Sequence, residues 1–324
     1  MIVTSFSRCA LNASVAAGLG ALALSALLAA CANGANTPLR SPDVVVSPAA
    51  IAPHLPRARG WLSPEVKKRS NLIYVAAGSE VLIFREERNS PPIGRITDGA
   101  GSPYGLYVDR HGNLYVANWM ANTVTAYRRG SVTPFATYSQ ELSRPLYPIV
   151  DAKGNLFVSN ADSGGVIEYR HGTTSVYRIL QTGGTEADGM DFDAKGNLYV
   201  AYRNGGIGSI ETFAPGSTQG KMLGMQLDQP QGLIVANSGI VLAVETGAAS
   251  RIDEFLPGNS TPQLEVPIPQ TPVQLAITES ENRLFVSTLN GPVYVTDYPL
   301  YKQRLVEEVF GSSQGVALSN GQYF

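Results

Sequence analysis

The sequence predicts an all-β fold: a six-bladed β-propeller with four-stranded antiparallel blades, closed by its C-terminal strand. Three observations predict it. First, the phrase Asp-x-x-Gly-Asn-Leu-Tyr/Phe-Val occurs three times, at Asp109, Asp151 and Asp193, with an interval of 42 residues each time. A fixed period near 40 in a strand-rich chain marks propeller blades, none of which can bury both its faces alone. Second, with the aspartate as a ruler, the period continues through Ala236, Thr278 and Ser319 at intervals of 43, 42 and 41. Third, the ends are complementary. Asn71-Leu-Ile-Tyr-Val75 reads as a second strand with no first strand before it, and Gly315-Val-Ala-Leu-Ser319 reads as a first strand with no blade after it. The tail therefore supplies the inner strand of the N-terminal blade, and closure removes the edges that would aggregate.

From the N-terminus, residues 1–30 form an export signal rather than part of the fold. Arg8 is the only charged residue there, and an apolar run follows it. The run ends in Leu28-Ala29-Ala30-Cys31, which resembles the bacterial lipobox. That resemblance implies cleavage before Cys31 and a diacylglycerol on its thiol, with palmitate among the protein's acyl chains. Each buried methylene would add about 0.8 kcal/mol of anchoring. It places the protein in the cell envelope, held to a membrane by lipid. Ala32 rather than an aspartate follows the cysteine, which points to the outer membrane or the periplasmic face. Residues 31–70 form the lipidated cysteine and a tether, with prolines at 38, 42, 48, 53 and 56. At its end, Ser63 and Pro64 predict a short helical turn, and Trp61 packs on a propeller edge.

The propeller spans 71–324. Second strands are predicted at Leu114–Ala117, Leu156–Ser159, Leu198–Ala201, Val241–Val244 and Leu284–Ser287. Third strands follow at Val124–Tyr127, Val166–Tyr169, Ser209–Phe213, Ile252–Phe255 and Val293–Asp297. These are short runs of period-2 character bounded by turn residues, and 33 glycines and 21 prolines supply the turns. In the repeated phrase, the aspartate is expected to accept backbone N–H groups across a hairpin turn. The glycine takes the positive-φ position, and the apolar residues pack between blades. One carboxylate per loop is too few for a calcium loop of EF-hand type.

Composition excludes several functions. Only Cys9 and Cys31 are present, so the mature domain has neither a disulfide nor a cysteine metal site. The net charge of −2 becomes −3 when Arg8 is removed, which argues against a nucleic-acid partner. Nothing in the chain signals oligomerisation, and a monomer is expected. Gly311-Ser-Ser-Gln-Gly315 fits Gly-x-Ser-x-Gly but runs from strand to strand, where a nucleophile elbow needs strand, turn and helix.

Gly105-Leu-Tyr-Val-Asp-Arg-His-Gly-Asn-Leu-Tyr-Val-Ala-Asn118 and Gly189-Met-Asp-Phe-Asp-Ala-Lys-Gly-Asn-Leu-Tyr-Val-Ala201 resemble the NHL repeat. They also resemble the related six-bladed propellers of the gluconolactonase and virginiamycin B lyase type. The likeness covers about 71–324 and implies the fold. It leaves function open between binding modules and enzymes. It also implies that loops leading into the first strand share a top face with those between the second and third strands. Asn118, Asn160, Asp188 and Glu245 are expected to meet at that mouth, with Tyr104, Trp119, Tyr202 and Arg203 nearby. The gluconolactonase likeness implies a divalent cation held there by carboxylates and amides. No other cofactor is indicated. The lyase likeness implies a histidine base, but His54 lies in the tether, and His111 and His171 lie in turns of the opposite face.

The leading reading is an envelope-anchored, non-catalytic module that binds a protein, glycan or small molecule through its top face. Aromatic and arginine side chains carry most binding hot spots. The alternative is a metal-dependent, lactonase-like hydrolase that uses Asp188 and Glu245.

Overall fold

Inner, second, third and outer strands alternate in direction, so each blade is an antiparallel sheet twisted about a shared axis. The computed structural model describes residues 60–68, 71–87, 90–300 and 306–321, all within the unit Pro56–Phe324. The export signal, Cys31 and the tether to residue 59 lie outside the described residues.

Six antiparallel sheets form the ring. Blade 1 comprises Pro103–Val108, Leu114–Asn118, Thr123–Tyr127 and Ala136–Tyr138, from inner to outer strand. Blade 2 comprises Pro145–Val150, Leu156–Asn160, Gly165–Tyr169 and Val176–Gln181. Blade 3 comprises Glu186–Phe192, Leu198–Asn204, Ile207–Phe213 and Gly220–Met222, with Leu227–Asp228 added on its third strand. Blade 4 comprises Pro230–Val235, Val241–Glu245, Arg251–Phe255 and Leu264–Pro267. Blade 5 comprises Pro272–Ile277, Arg283–Thr288, Gly291–Asp297 and Val306–Ser313.

Blade 6 joins the two ends of the domain. Its inner strand is C-terminal, Val316–Leu318, and pairs with Leu72–Ala77 through Ile73↔Leu318 and Val75↔Val316. Glu80–Arg85 and Gly94–Ile96 complete it, and Trp61–Leu62 adds a fifth, outermost strand on Gly94–Arg95. The predicted turn after Ser63 is a 3₁₀ turn, Pro64–Lys67, in which the Ser63 hydroxyl accepts Glu65 N.

The repeated turns act as their residues predict. The Asp109 carboxylate accepts His111 N and Asn113 N at 2.9 and 2.8 Å, and its other oxygen accepts Asn113 Nδ2 at 2.8 Å. Asp151 and Asp193 repeat this pattern with Asn155 and Asn197. Gly112, Gly154 and Gly196 take φ of 76°, 85° and 78°, a region that favours glycine. The following Leu, Tyr/Phe and Val turn mostly inward. Leu156, Phe157 and Val158 are buried, and Phe157 meets Phe192 of blade 3 edge-on at 5.4 Å. Each such side chain contributes about 1.5–3 kcal/mol by leaving water. The core is thus a ring of inter-blade layers, not a single centre.

Candidate functional site

The inner strands line the central channel, and one register position decides whether it is open. Four residues before the ruler stand Gly105, Tyr147, Gly189, Gly232, Gln274 and Gly315. A Cβ on Gly105 would lie 2.2 Å from Leu146 O, and one on Gly315 would lie 2.0 Å from Tyr104 O. Glycine thus lets neighbouring inner strands close together. The space left between them is filled by the two exceptions, on opposite blades. Tyr147 reaches across to donate to Val273 O at 2.8 Å. Gln274 donates to Leu106 O at 2.6 Å and accepts from Leu106 N at 3.1 Å and Val316 N at 3.2 Å. Above them, Tyr104 crosses from blade 1 to blade 4 and donates to Gln231 Oε1 at 2.9 Å. The channel is closed at its mouth by the protein's own side chains.

Beneath this plug is a cavity of about 80 Å³, lined in part by Tyr147, Asp191 and Gln274. This volume suits a few water molecules. Asp191 accepts Val235 N of blade 4 and Phe192 N, both at 2.9 Å. Burial pushes its pKa up to about 7, against the lowering effect of those two backbone bonds. Its side chain lines this cavity.

The expected convergence of Asn118, Asn160, Asp188 and Glu245 in one water-filled mouth is corrected by the geometry. All four are buried, and each is engaged within its own blade. Asn118 accepts Gly101 N at 2.9 Å and donates to Thr125 Oγ1 at 3.0 Å. Asn160 accepts Ser143 N at 3.2 Å and donates to Glu141 O at 2.7 Å. Glu245 accepts Asp228 N at 3.1 Å. These three residues end second strands and staple the loop that leads into the inner strand of the same blade. A buried backbone N–H needs a partner, and they supply it.

Asp188 and Glu245 each have their own arginine. Arg203 clamps Asp188 through Nε at 2.8 Å and Nη2 at 3.1 Å, and it also meets Glu186 at 2.5 Å. Burial nevertheless holds Asp188 at about 7, with Arg203 pulling it down and Glu186 pushing it up. Glu245 shares Arg251 with Asp253, at 2.8 and 2.6 Å. Burial first, and then the neighbouring Asp253 carboxyl, raise its pKa. Neither Asp188 nor Glu245 is among the charges acting on the other. Among the described residues no three His, Cys, Asp or Glu side chains come together as a metal site. The amide oxygens of Asn118 and Asn160 already hold N–H donors, so these four residues do not fit a shared divalent cation.

The remaining four residues divide. Tyr104 and Trp119 pack together with Leu146, Tyr147 and Ala161, and the Arg144 guanidinium lies 5.5 Å from the Trp119 ring centre. Arg203 lies at the same mouth, since its charge and that of Asp188 act on Tyr104. Tyr202 does not join them. As Arg203's neighbour in a strand it points to the other face, and its hydroxyl lies 3.8 Å from Met222 Sδ. Around the mouth, the loops between second and third strands expose Met120 and Leu289 at 67 and 46 %, and Ile207, at the start of a third strand, is 73 % exposed. In the Gly-x-Ser-x-Gly segment, the Ser313 hydroxyl is buried and donates to Gly291 O at 2.9 Å and Thr288 O at 3.1 Å. That is a strand-to-strand corner.

The channel plug was not anticipated. Its signal was present: at one ruler position four of the six blades carry glycine, and Tyr147 and Gln274 break the series.

No known family profile matches this chain. No curated protein matches it in sequence. Solved structures do match its fold. A chain of a nidogen/laminin complex aligns with TM-score 0.67 and 19 % identity, over 78 % of this chain and 99 % of that one. A chain of the Kuenenia stuttgartiensis hydrazine synthase aligns with TM-score 0.59 and 12 % identity, over 85 % and 93 %. A putative gluconolactonase aligns with TM-score 0.57 and 14 % identity, over 77 % and 90 %. The chain is a six-bladed propeller whose structural neighbours include both a nidogen-type and a gluconolactonase-type propeller. At these identities the likeness is one of fold.

Proposed function

We propose that this protein is a non-catalytic binding module, held at the bacterial envelope by lipid on Cys31, that meets its partner with the top face. One observation carries the reading: the channel mouth is plugged by Tyr104, Tyr147 and Gln274, while the loops around it stay exposed. A substrate pocket needs a cavity and convergent polar groups free to act. Here Asp188 and Glu245 each meet an arginine and the Asn118 and Asn160 amides hold backbone N–H groups, while the exposed rim is apolar or aromatic beside Arg144, which pairs with Asp162, a composition that suits interaction hot spots. Met120, Trp119, Arg144 and Ile207 form the working surface. The Leu28-Ala-Ala-Cys31 segment supports the envelope address.

The second reading, a lactonase-like hydrolase, is motivated by the gluconolactonase-type neighbour. One set of preparations separates the two. Full-length protein is titrated by calorimetry with calcium, magnesium, manganese and zinc, and assayed with glucono-δ-lactone. The binding-module reading expects neither heat nor hydrolysis. Metal-dependent hydrolysis abolished by Asp188→Asn would establish the hydrolase instead. In the same strains, Cys31→Ser is expected to move the protein out of the lipid-labelled membrane fraction. Unchanged membrane retention, with no lipid label on wild type, would overturn the address.

A further inference from the structure

We propose that the face opposite the channel mouth carries a binding track for a linear, carboxylate-bearing polysaccharide, centred on the cleft between blades 2 and 3. The cleft has a volume of about 740 Å³ and a floor that includes buried Phe157, Phe192 and Leu198. Its walls are two of the repeated turns, 151–155 and 193–196, and the outer strand of blade 2 at Tyr177 and Arg178.

Its charge is one-sided where it meets solvent. Lys153, Arg170 and Lys195 line it, are exposed, and have no carboxylate partner among the described residues. Arg178 pairs with Glu168. The carboxylates of Asp151 and Asp193 are turned into their own hairpins, where backbone N–H groups and an asparagine amide occupy them. The accessible groups are therefore cations. The Arg170 guanidinium lies 3.6 Å from the ring centre of Tyr177, which is 47 % exposed. Stacking fixes the guanidinium plane and leaves its N–H edge for a carboxylate. An apolar floor, an aromatic wall and planar donors together suit a uronate-type sugar, which offers both a hydrophobic face and a carboxylate.

The cleft is not isolated. Between blades 1 and 2 a neighbour of about 640 Å³ is lined by Arg110, His111, Arg128 and His171, and shares Asp151 with it. Between blades 3 and 4 another, of about 490 Å³, carries Lys195 and Lys221 and shares Asp193. The repeated turns are the ridges between successive clefts. A site repeated along the rim matches a ligand whose charge repeats along a chain, which distinguishes a polymer from a single small anion.

The test uses full-length protein in detergent and calorimetry at low and high salt. The probes are oligogalacturonate, a neutral malto-oligosaccharide of equal length, polyglutamate and single-stranded DNA. Oligogalacturonate is expected to bind at low salt, to weaken as salt screens the cations, and to bind more tightly than the other three. Lys153→Glu with Lys195→Glu is expected to weaken it by at least about tenfold, or 1.4 kcal/mol. Lys68→Glu, an exposed residue outside the three clefts, should leave it within about twofold, a difference below the scale of one such contact. No binding by wild type, an equal loss with Lys68→Glu, or equal or tighter binding of polyglutamate or DNA would overturn the proposal.

Discussion

Blades 1–3 and blades 4–6 fold alike but hold their inner hairpins by different chemistry. In the first three, an aspartate gathers two backbone N–H groups and an asparagine amide. In blade 4 the ruler residue is Ala236, which offers no side-chain acceptor: Gly239 N donates to Ala236 O at 2.8 Å, with Gly239 at φ 82°, and Asn237 N turns to the Glu281 carboxylate of blade 5. In blade 5 the Thr278 hydroxyl takes over, accepting Asn282 N and Arg283 N at 3.3 and 3.2 Å. In blade 6, Ser319 accepts Leu72 N at 2.9 Å and so ties the C-terminal strand to the N-terminal one. The turn geometry is therefore set by chain reversal between paired strands, and the aspartate adds strength to a turn that forms without it. A charged acceptor makes stronger hydrogen bonds than a hydroxyl.

The largest effect is expected where the second group of blades is most dependent, at the join. Deleting residues 314–324 removes the inner strand of blade 6, with buried Val316, Ala317 and Leu318. It should destabilise the domain by more than about 5 kcal/mol, from lost burial and strand pairing. Deleting residues 32–58 should change little. Equal denaturant midpoints for the two deletions would show that the ring does not close through its tail.

A middle-sized effect tests the comparison directly. Asp193→Ala removes three hydrogen bonds to one carboxylate and is expected to cost about 3 kcal/mol. Thr278→Ala in the equivalent turn is expected to cost about 1 kcal/mol. Equal losses in chemical denaturation would erase the distinction between the two groups of blades.

The smallest effect lies on the seam between the groups, where Asp191 of blade 3 accepts Val235 N of blade 4. Its folded pKa of about 7 lies above its usual value, so the folded state favours the protonated form. The stability it contributes is complete below about pH 4, falls as pH rises, and is lost above pH 7. Asp191→Asn keeps an acceptor for Val235 and cannot ionise. Its melting temperature should exceed that of wild type at pH 8, with the gap closing by pH 4. A pH-independent difference would place the titration elsewhere.

The ruler made most of the fold legible. Asp109, Asp151 and Asp193 set the period, Ala236, Thr278 and Ser319 extended it, and the strands fell where alternation put them. These are local properties: a turn needs its glycine, a half-buried strand needs its alternation, and both are written in consecutive residues. The candidate site was less legible. Strand periodicity put Asn118, Asn160 and Glu245 at the ends of second strands and Asp188 in an inner strand, yet gave no sign that each was already bonded within its own blade. Tyr202 and Arg203 are adjacent in one strand and so point to opposite faces, and only the register of the folded blade decides which of them meets the mouth.

By itself the sequence determined the architecture and the closure. The tertiary structure alone decided that Tyr147 and Gln274 plug the channel, because their partners Val273, Leu106 and Val316 come from blades far away in the chain. It also decided that the cations of three separate repeats face one row of clefts on the other side. A repeat fixes what each blade looks like. What six blades enclose between them depends on which side chains meet across the ring, and sequence separation carries no information about those distances.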